Sequence, residues 1–215
     1  MRYPLIVFDW DGTIIDSPRA IAQCIRQAAA DLGLEVPDAE RASHVIGLGL
    51  HDAMRIAVPG LPSSRYAEFV ECYRGPFLAR EDAMQLFPGM RELIGALAAS
   101  RRLAIATGKS RRGLERALEA SALERYFCAS RCADETHPKP HPAMLLELMS
   151  ELGVAPGSVL MIGDTSHDLD MARAAGVDAL AVSYGAHPEP GLLACGPRGC
   201  VASVQGLREW LDRHA

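Results

Sequence analysis

Long hydrophobic runs are missing from this chain of 215 residues, and lysine is nearly missing too. Apolar segments such as Leu5–Phe8 and Val159–Ile162 last only a few residues, far short of what a membrane-spanning helix needs. Arg2 is followed too soon by Asp9 and Asp11 to leave room for the apolar stretch of a signal peptide, so no export is expected. The 22 basic residues lie singly or in pairs against 27 acidic ones, giving a net charge of −5 and no basic stripe able to neutralise a nucleic-acid backbone. Neither a membrane nor a nucleic acid is therefore expected as a partner. Internal repeats, low-complexity tracts and extended linkers are absent as well. Cysteine is present six times but in no metal-binding pattern: three residues separate Cys128 from Cys132, and Gly-Pro-Arg-Gly separates Cys195 from Cys200, so neither pair has Cys-x-x-Cys spacing. Cys24 falls on the apolar face of an expected helix. The reading is six free thiols in a reducing compartment, and a cytoplasmic location.

What the chain does have is alternation. Short runs rich in Val, Ile and Leu recur at Leu5–Phe8, Leu103–Ala106, Val159–Ile162 and Ala179–Val182, with helical patterns between the later ones. That order predicts an α/β fold, a Rossmann-like parallel sheet covered by helices. Ser17-Pro18 reads as an N-cap and first helical residue, Ile21, Cys24, Ile25, Ala28 and Leu32 then share one face, and Gly33 is the stop. From Pro37 to Asp82 the pattern stays helical, with breaks at Gly47-Leu48-Gly49 and Pro59-Gly60-Leu61-Pro62; the first of these reads as a turn joining helices. The expected organisation is a catalytic core of residues 1–16 and 86–215 with an inserted helical cap of residues 17–85.

Open parallel sheets place ligands beyond the carboxyl ends of their strands. Reading outward from those ends collects Asp9 and Asp11 after the first run, Thr107-Gly108-Lys109-Ser110 after the second, and Gly163-Asp164-Thr165-Ser166-His167-Asp168 after the third. Lys139 lies between prolines in the intervening loop. Several carboxylates converging in one crevice repel one another, so a hard divalent cation is called for, and Mg²⁺ fits Asp9 and Asp164. Thr107 offers a hydroxyl, and with Gly108 it offers backbone N–H groups ahead of a helix beginning near Ser110, a setting that favours an anion. Lys139 adds positive charge for a phosphoryl group. The chain's two lysines, Lys109 and Lys139, both fall in these loops, against twenty arginines elsewhere. A lysine kept in such an arginine-rich chain marks a place where a compact ammonium is wanted.

Asp9-Trp10-Asp11-Gly12-Thr13, Thr107, Lys139 and Gly163-Asp164-Thr165-x-x-Asp168, in this order, resemble the four motifs of the haloacid-dehalogenase superfamily of hydrolases. The segment GDTSHDLDMARAAG and the helical block are similar to the subfamily of phosphoglycolate phosphatases. The resemblance implies an Mg²⁺-dependent phosphatase acting through an aspartyl phosphate. Asp9 would be the nucleophile and Asp11 the acid and base. Asp9, Asp11 through its backbone carbonyl, Asp164 and Asp168 would hold the metal. Thr107 and Lys139, with Gly12 and Gly108, would form the phosphate-binding set. The implied substrate is a small phosphorylated metabolite such as phosphoglycolate or a sugar phosphate, and the implied protein is a monomer or homodimer.

Asp11 argues against dehalogenation, because a halide leaves without a proton. Phosphonoacetaldehyde hydrolysis needs a cap lysine for a Schiff base, and no lysine lies between Ser17 and Asp82. A phosphosugar mutase of the β-phosphoglucomutase type and a non-catalytic phospholigand-binding protein remain as alternatives. His44, His51 and Arg55 are candidates for selecting the leaving group, although isolated polar residues on helices are ordinarily solvated. His137, His141 and His167 flank the motif residues.

Overall fold

The structure is a computed structural model that describes residues 2–81 and 84–215. Met1, Asp82 and Ala83, the last two inside the expected cap, lie outside the described residues. Six strands, β1 (Leu5–Phe8), β2 (Arg102–Thr107), β3 (Ala129–Cys132), β4 (Val159–Gly163), β5 (Asp178–Val182) and β6 (Cys200–Val201), form one parallel sheet in the order β3-β2-β1-β4-β5-β6. The order reverses direction between β1 and β4, where a ligand crevice opens in folds of this kind. β3 and β6 escaped the sequence reading for physical reasons. β3 reads ASRC, half polar, and β6 is two residues long, so neither makes an apolar run.

The helices are α1 (Pro18–Asp31), α2 (Ala39–His44), α3 (Leu50–Ala57) and α4 (Tyr66–Glu81), then α5 (Met90–Ala98), α6 (Arg111–Ser121), α7 (Ala143–Leu152), α8 (Ser166–Ala174), α9 (Glu189–Ala194) and α10 (Val204–His214). Side chains alternate across the central strands. Leu5, Val7, Val159 and Met161 pack into a core with Leu145 and Leu148 of α7 and Leu169 of α8. Ile6, Phe8, Leu160 and Ile162 pack into a second core with Leu93 of α5, Leu114 of α6 and Leu207 of α10. Both faces of β1 are thus covered, which is why all four of its residues are apolar and buried.

A third apolar cluster is drawn from α1 to α4 and the turns between them, including Ile25, Met54 and the fully buried Phe69. Residues 18–81 hold no strand among the described residues. The two chain crossings between this helical block and the sheet run side by side: Ile15 is bridged antiparallel to Leu86, Asp16 N–H donates to Gln85 O at 2.9 Å, and Phe87 N–H donates to Ile14 O at 3.1 Å. Ser17 stands at the N-cap of α1 with Pro18 the first helical residue, as the sequence reading has it, but its hydroxyl makes no capping bond and donates instead to Asp11. All six cysteines are free. No helix among the described residues is long and apolar enough to cross a membrane.

Candidate active site

Asp9 leaves β1 directly beside β4, its N–H still donating to Ile162 O at 2.9 Å, and its side chain is fully buried. Lys139, also buried, reaches in from the loop before α7. Its ammonium lies 2.7 Å from Asp9 Oδ1 and 2.6 Å from Asp168 Oδ1. Asp168 is fixed by its place in the first turn of α8, where it closes a reciprocal cap with Thr165: the Thr165 hydroxyl donates to Asp168 Oδ2 at 2.7 Å and the Thr165 N–H at 3.1 Å. Both oxygens of Asp168 are therefore engaged.

Asp164, at the end of β4, accepts the Thr13 hydroxyl on Oδ1 at 2.8 Å and the Ala186 N–H on Oδ2 at 2.7 Å. The space around it admits only glycine. A Cβ on Gly12, whose φ is +82°, would come within 2.1 Å of Asp164 Oδ2, and one on Gly185 within 2.3 Å of the same atom. Asp11 turns the other way: Oδ1 accepts the Ser17 hydroxyl at 2.7 Å, and Oδ2 lies 3.3 Å from the Lys109 ammonium. Thr107 closes β2 in a fully buried position, its hydroxyl accepting the Lys109 N–H at 3.2 Å.

Four carboxylates, Asp9, Asp11, Asp164 and Asp168, thus face two ammoniums, Lys109 and Lys139, which are all the lysines the chain has. The consequence appears in the proton affinities. Burial, reinforced by Asp168 and Asp164 against the pull of Lys139, drives Asp9 well above the ordinary carboxylate range. Burial and the Asp168 charge push Asp164 up to about 7. Burial alone would depress Lys139, but Asp168 and Asp9 outweigh it and raise its pKa. Asp9 Oδ2 is buried with no hydrogen-bond partner, and one ligand oxygen from each of Asp9, Asp164 and Asp168 lies within 4.8 Å of the others. An orphaned carboxylate oxygen in a cluster short of positive charge fits an oxygen-loving divalent cation.

The helical block meets these loops mostly through its backbone. A Cβ on Gly108 would stand 2.6 Å from both Gly47 O and Leu48 O, so the Gly47-Leu48-Gly49 turn lies directly on the Thr107-Gly108 loop. His44 O takes ring N–H groups from His167 Nε2 at 2.7 Å and His187 Nε2 at 3.1 Å, and the His44 ring stacks on His187. His187 Nδ1 accepts the Ser166 N–H at 3.0 Å, and burial beside His167 lowers the His187 pKa to about 4, so the ring is neutral near pH 7. Sequence reading missed His187 and Ala186, the second of which contributes only its backbone; Thr13 lies in the first motif, and Ser17 reads from the sequence only as a helix N-cap. Of the other candidates, His51 and Arg55 are exposed and share Asp52. His137 and His141 are exposed and pack on each other.

Comparison with known proteins adds a second line of observation. Residues 6–182 match the family model of haloacid dehalogenase-like hydrolases. Among relatives, "Probable phosphatase IndB" of Dickeya dadantii is 37% identical over 92% of this chain and 89% of its own length. The "5'-nucleotidase" of Pseudomonas aeruginosa is 33% identical over 100% of this chain and 98% of its own. "Tyrosine-protein kinase PtkA" of Mycobacterium tuberculosis is 34% identical over 84% of this chain, which spans only 62% of that protein's length. A solved haloacid dehalogenase-like family protein from Streptococcus pneumoniae superposes with a TM-score of 0.83 at 25% identity, over 98% of this chain and 99% of the other.

Proposed function

The chain belongs to the haloacid dehalogenase-like hydrolases, and from that premise we propose that it is an Mg²⁺-dependent phosphatase of small phosphomonoesters that works through an aspartyl phosphate on Asp9. One observation carries the reading. Lys139 holds Asp9 Oδ1 at 2.7 Å, while the buried Oδ2 has no hydrogen-bond partner. A buried carboxylate oriented by an ammonium and left with an unpartnered oxygen suits a site where it attacks phosphorus and meets a cation.

In the proposed first step, an oxygen of the Asp9 carboxylate bonds to phosphorus as the bond to the ester oxygen breaks, and Asp11 gives that leaving oxygen a proton. In the second, Asp11 takes a proton from the water that attacks the aspartyl phosphate, releasing inorganic phosphate and restoring Asp9. Thr107, Gly108 and Lys139 bind the phosphoryl oxygens, and Gly12 lets the backbone turn tightly against Asp164. Asp168, both of whose oxygens are engaged, orients Lys139. Mg²⁺, held by the carboxylates of Asp9 and Asp164 and the backbone carbonyl of Asp11 with Asp168 in support, supplies the positive charge that offsets the carboxylates and the transferred phosphoryl group. Residues 17–85 act as a cap whose seating over Gly108 excludes water and large leaving groups, so the substrate is a small ester such as phosphoglycolate or a sugar phosphate.

The test is phosphate release from a panel of small esters, including phosphoglycolate, sugar phosphates and a nucleoside 5′-monophosphate, read as relative kcat/KM. A strong chelator should abolish release and Mg²⁺ restore it, while Ca²⁺, with its larger and looser coordination, should inhibit. Full activity after chelation, or faster dephosphorylation of intact phosphoproteins than of every small ester, would overturn the reading. A phosphorylated sugar product in place of free phosphate would favour the mutase alternative.

A further inference from the structure

The reaction just proposed leaves two charged groups beside the site without a task. The Lys109 ammonium lies 3.3 Å from Asp11 Oδ2 and 4.0 Å from Glu81 Oε1, on a side chain only 9% exposed, and 4.9 Å from the centre of the Phe77 ring. Phe77 and Glu81 are four residues apart on α4, so one face of that helix is turned toward Lys109. Arg116 Nε, from α6, lies 3.2 Å from the other Glu81 oxygen and keeps that carboxylate aimed at the seam.

Chain geometry gives the contact its meaning. Ser17, which donates to Asp11 Oδ1 at 2.7 Å, stands just past the first crossing into the helical block. Glu81 ends α4, just before the second crossing. The carboxylate assigned to acid–base work is therefore tied to one crossing directly and to the other through Lys109. An ammonium is a compact point charge whose three donors rotate freely on a flexible stem, so it fits a narrow seam between two carboxylates and a ring that a broad planar guanidinium would have to widen. This accounts for one of the two lysines in a chain with twenty arginines.

Resting on the phosphatase reading, we propose that Lys109 is a positioning residue that holds the Asp11 carboxylate at the leaving-group oxygen when the cap is seated, with Glu81 and Phe77 as the cap's half of the contact. Withdrawing α4 removes Glu81 and the Phe77 ring, admits water to the ammonium and weakens its hold on Asp11. Acid catalysis is thereby set by closure.

The experiment compares Lys109→Met, Lys109→Arg and Glu81→Gln with the wild type on two substrates: the alkyl phosphate that performs best in the screen above, and p-nitrophenyl phosphate, whose leaving group departs without a proton. Lys109→Met should lose at least about tenfold more kcat on the alkyl ester than on the aryl ester, with KM for the aryl ester changed less than about threefold. Its aryl reaction should begin with a burst of nitrophenolate, because the water attack that follows still needs Asp11. Lys109→Arg should recover part of the alkyl rate, and Glu81→Gln should fail in the same direction but less. The burst counts working sites, so a variant that folds poorly is still read per active site. Equal loss on both esters, or a change confined to KM, would sink the inference while leaving the phosphatase reading intact. A wild-type protein that cleaves neither ester with Mg²⁺ would sink both.

Discussion

The sheet and the helical block contribute to the same crevice by different means. On the sheet side the chemistry is carried by side chains at or just beyond strand ends, each pinned by a short bond: Asp164 by Thr13 and Ala186, Asp168 by Thr165, Asp9 by Lys139. On the helical side carbonyls make close contacts, those of Gly47 and Leu48 on Gly108 and that of His44 on two histidine rings, and the side chains that reach the motif loops include Ser17, Phe77, Glu81 and the His44 ring. A reacting carboxylate has to be held to a fraction of an ångström, which favours rigid strand ends. A closing surface has to fit and release, and backbone contact does that without committing to a particular charge.

If that division is right, the largest effect comes from the sheet side. Asp9→Asn keeps the shape and the Lys139 contact but removes the nucleophile, so turnover should fall on the order of 10⁴-fold or more, with no burst on p-nitrophenyl phosphate. Residual activity within tenfold of the wild type would mean that another group attacks. Next is Asp11→Asn, which cannot give or take the proton. Alkyl esters should lose about 10²- to 10⁴-fold in kcat, while p-nitrophenyl phosphate should still phosphorylate Asp9 and give a burst near one nitrophenolate per site. Equal losses on alkyl and aryl esters with no trappable phosphoenzyme would remove Asp11 from its role.

The helical side should answer more weakly. Gly108→Ala puts a methyl group 2.6 Å from the carbonyl oxygens of Gly47 and Leu48, so the turn has to lift while the carboxylates stay in place. The expected loss is about ten- to a hundredfold in kcat/KM, smaller for p-nitrophenyl phosphate than for a small alkyl ester that depends on enclosure. A loss as large as that of Asp9→Asn would erase the distinction between the two sides.

The same division decides what could be read from the sequence. Strand-end chemistry was legible because the apolar runs of β1, β2 and β4 stop abruptly and the next residues are Asp, Thr or Gly-Asp, a local signal. The family resemblance rested on those loops, and the parallel sheet followed from the same alternation. Illegible were the bonds between residues far apart in the chain. Nothing near Ala186 says that its N–H will hold Asp164 across the site, and Glu81 reads as an ordinary helix-end glutamate. Ser17 shows a signal read correctly for position but not for the hydroxyl's partner. Ser-Pro is a strong local signal for a helix start, yet the hydroxyl is worth more to a buried carboxylate 2.7 Å away than to the helix end. His44, a candidate for selecting the leaving group, offers its carbonyl to two histidine rings and packs its own ring on both, contacts that no nearby residue announces.

The smallest expected effect concerns stability. Without metal, burial and the Asp168 charge let the folded protein hold a proton on Asp164 up to about pH 7, whereas an unfolded chain releases it near 3.8, the ordinary carboxylate value. A folded-state pKa raised in this way contributes stability that is complete below the unfolded value and is lost as pH rises toward 7. The upward displacement of Asp9 works in the same direction. Above that window the metal-free protein carries buried, mutually repelling carboxylates. Mg²⁺ needs those carboxylates ionised, so it competes with their protons and should stabilise the fold more at pH 8 than at pH 5. At about 100 times its Kd, a ligand that binds only the folded state contributes about 2.7 kcal/mol, which for a domain of this size is a rise of several °C. We therefore expect chelator-treated protein to gain several °C in Tm on adding Mg²⁺ at pH 8 and less than about 2 °C at pH 5, with Asp164→Asn losing most of the pH 8 gain. Thermal melts with and without Mg²⁺ at the two pH values decide it. A gain of equal size at both would mean that the Asp9 and Asp164 protons do not compete with the metal, and the sheet side would lose its claim to be the part of the site that requires a cation.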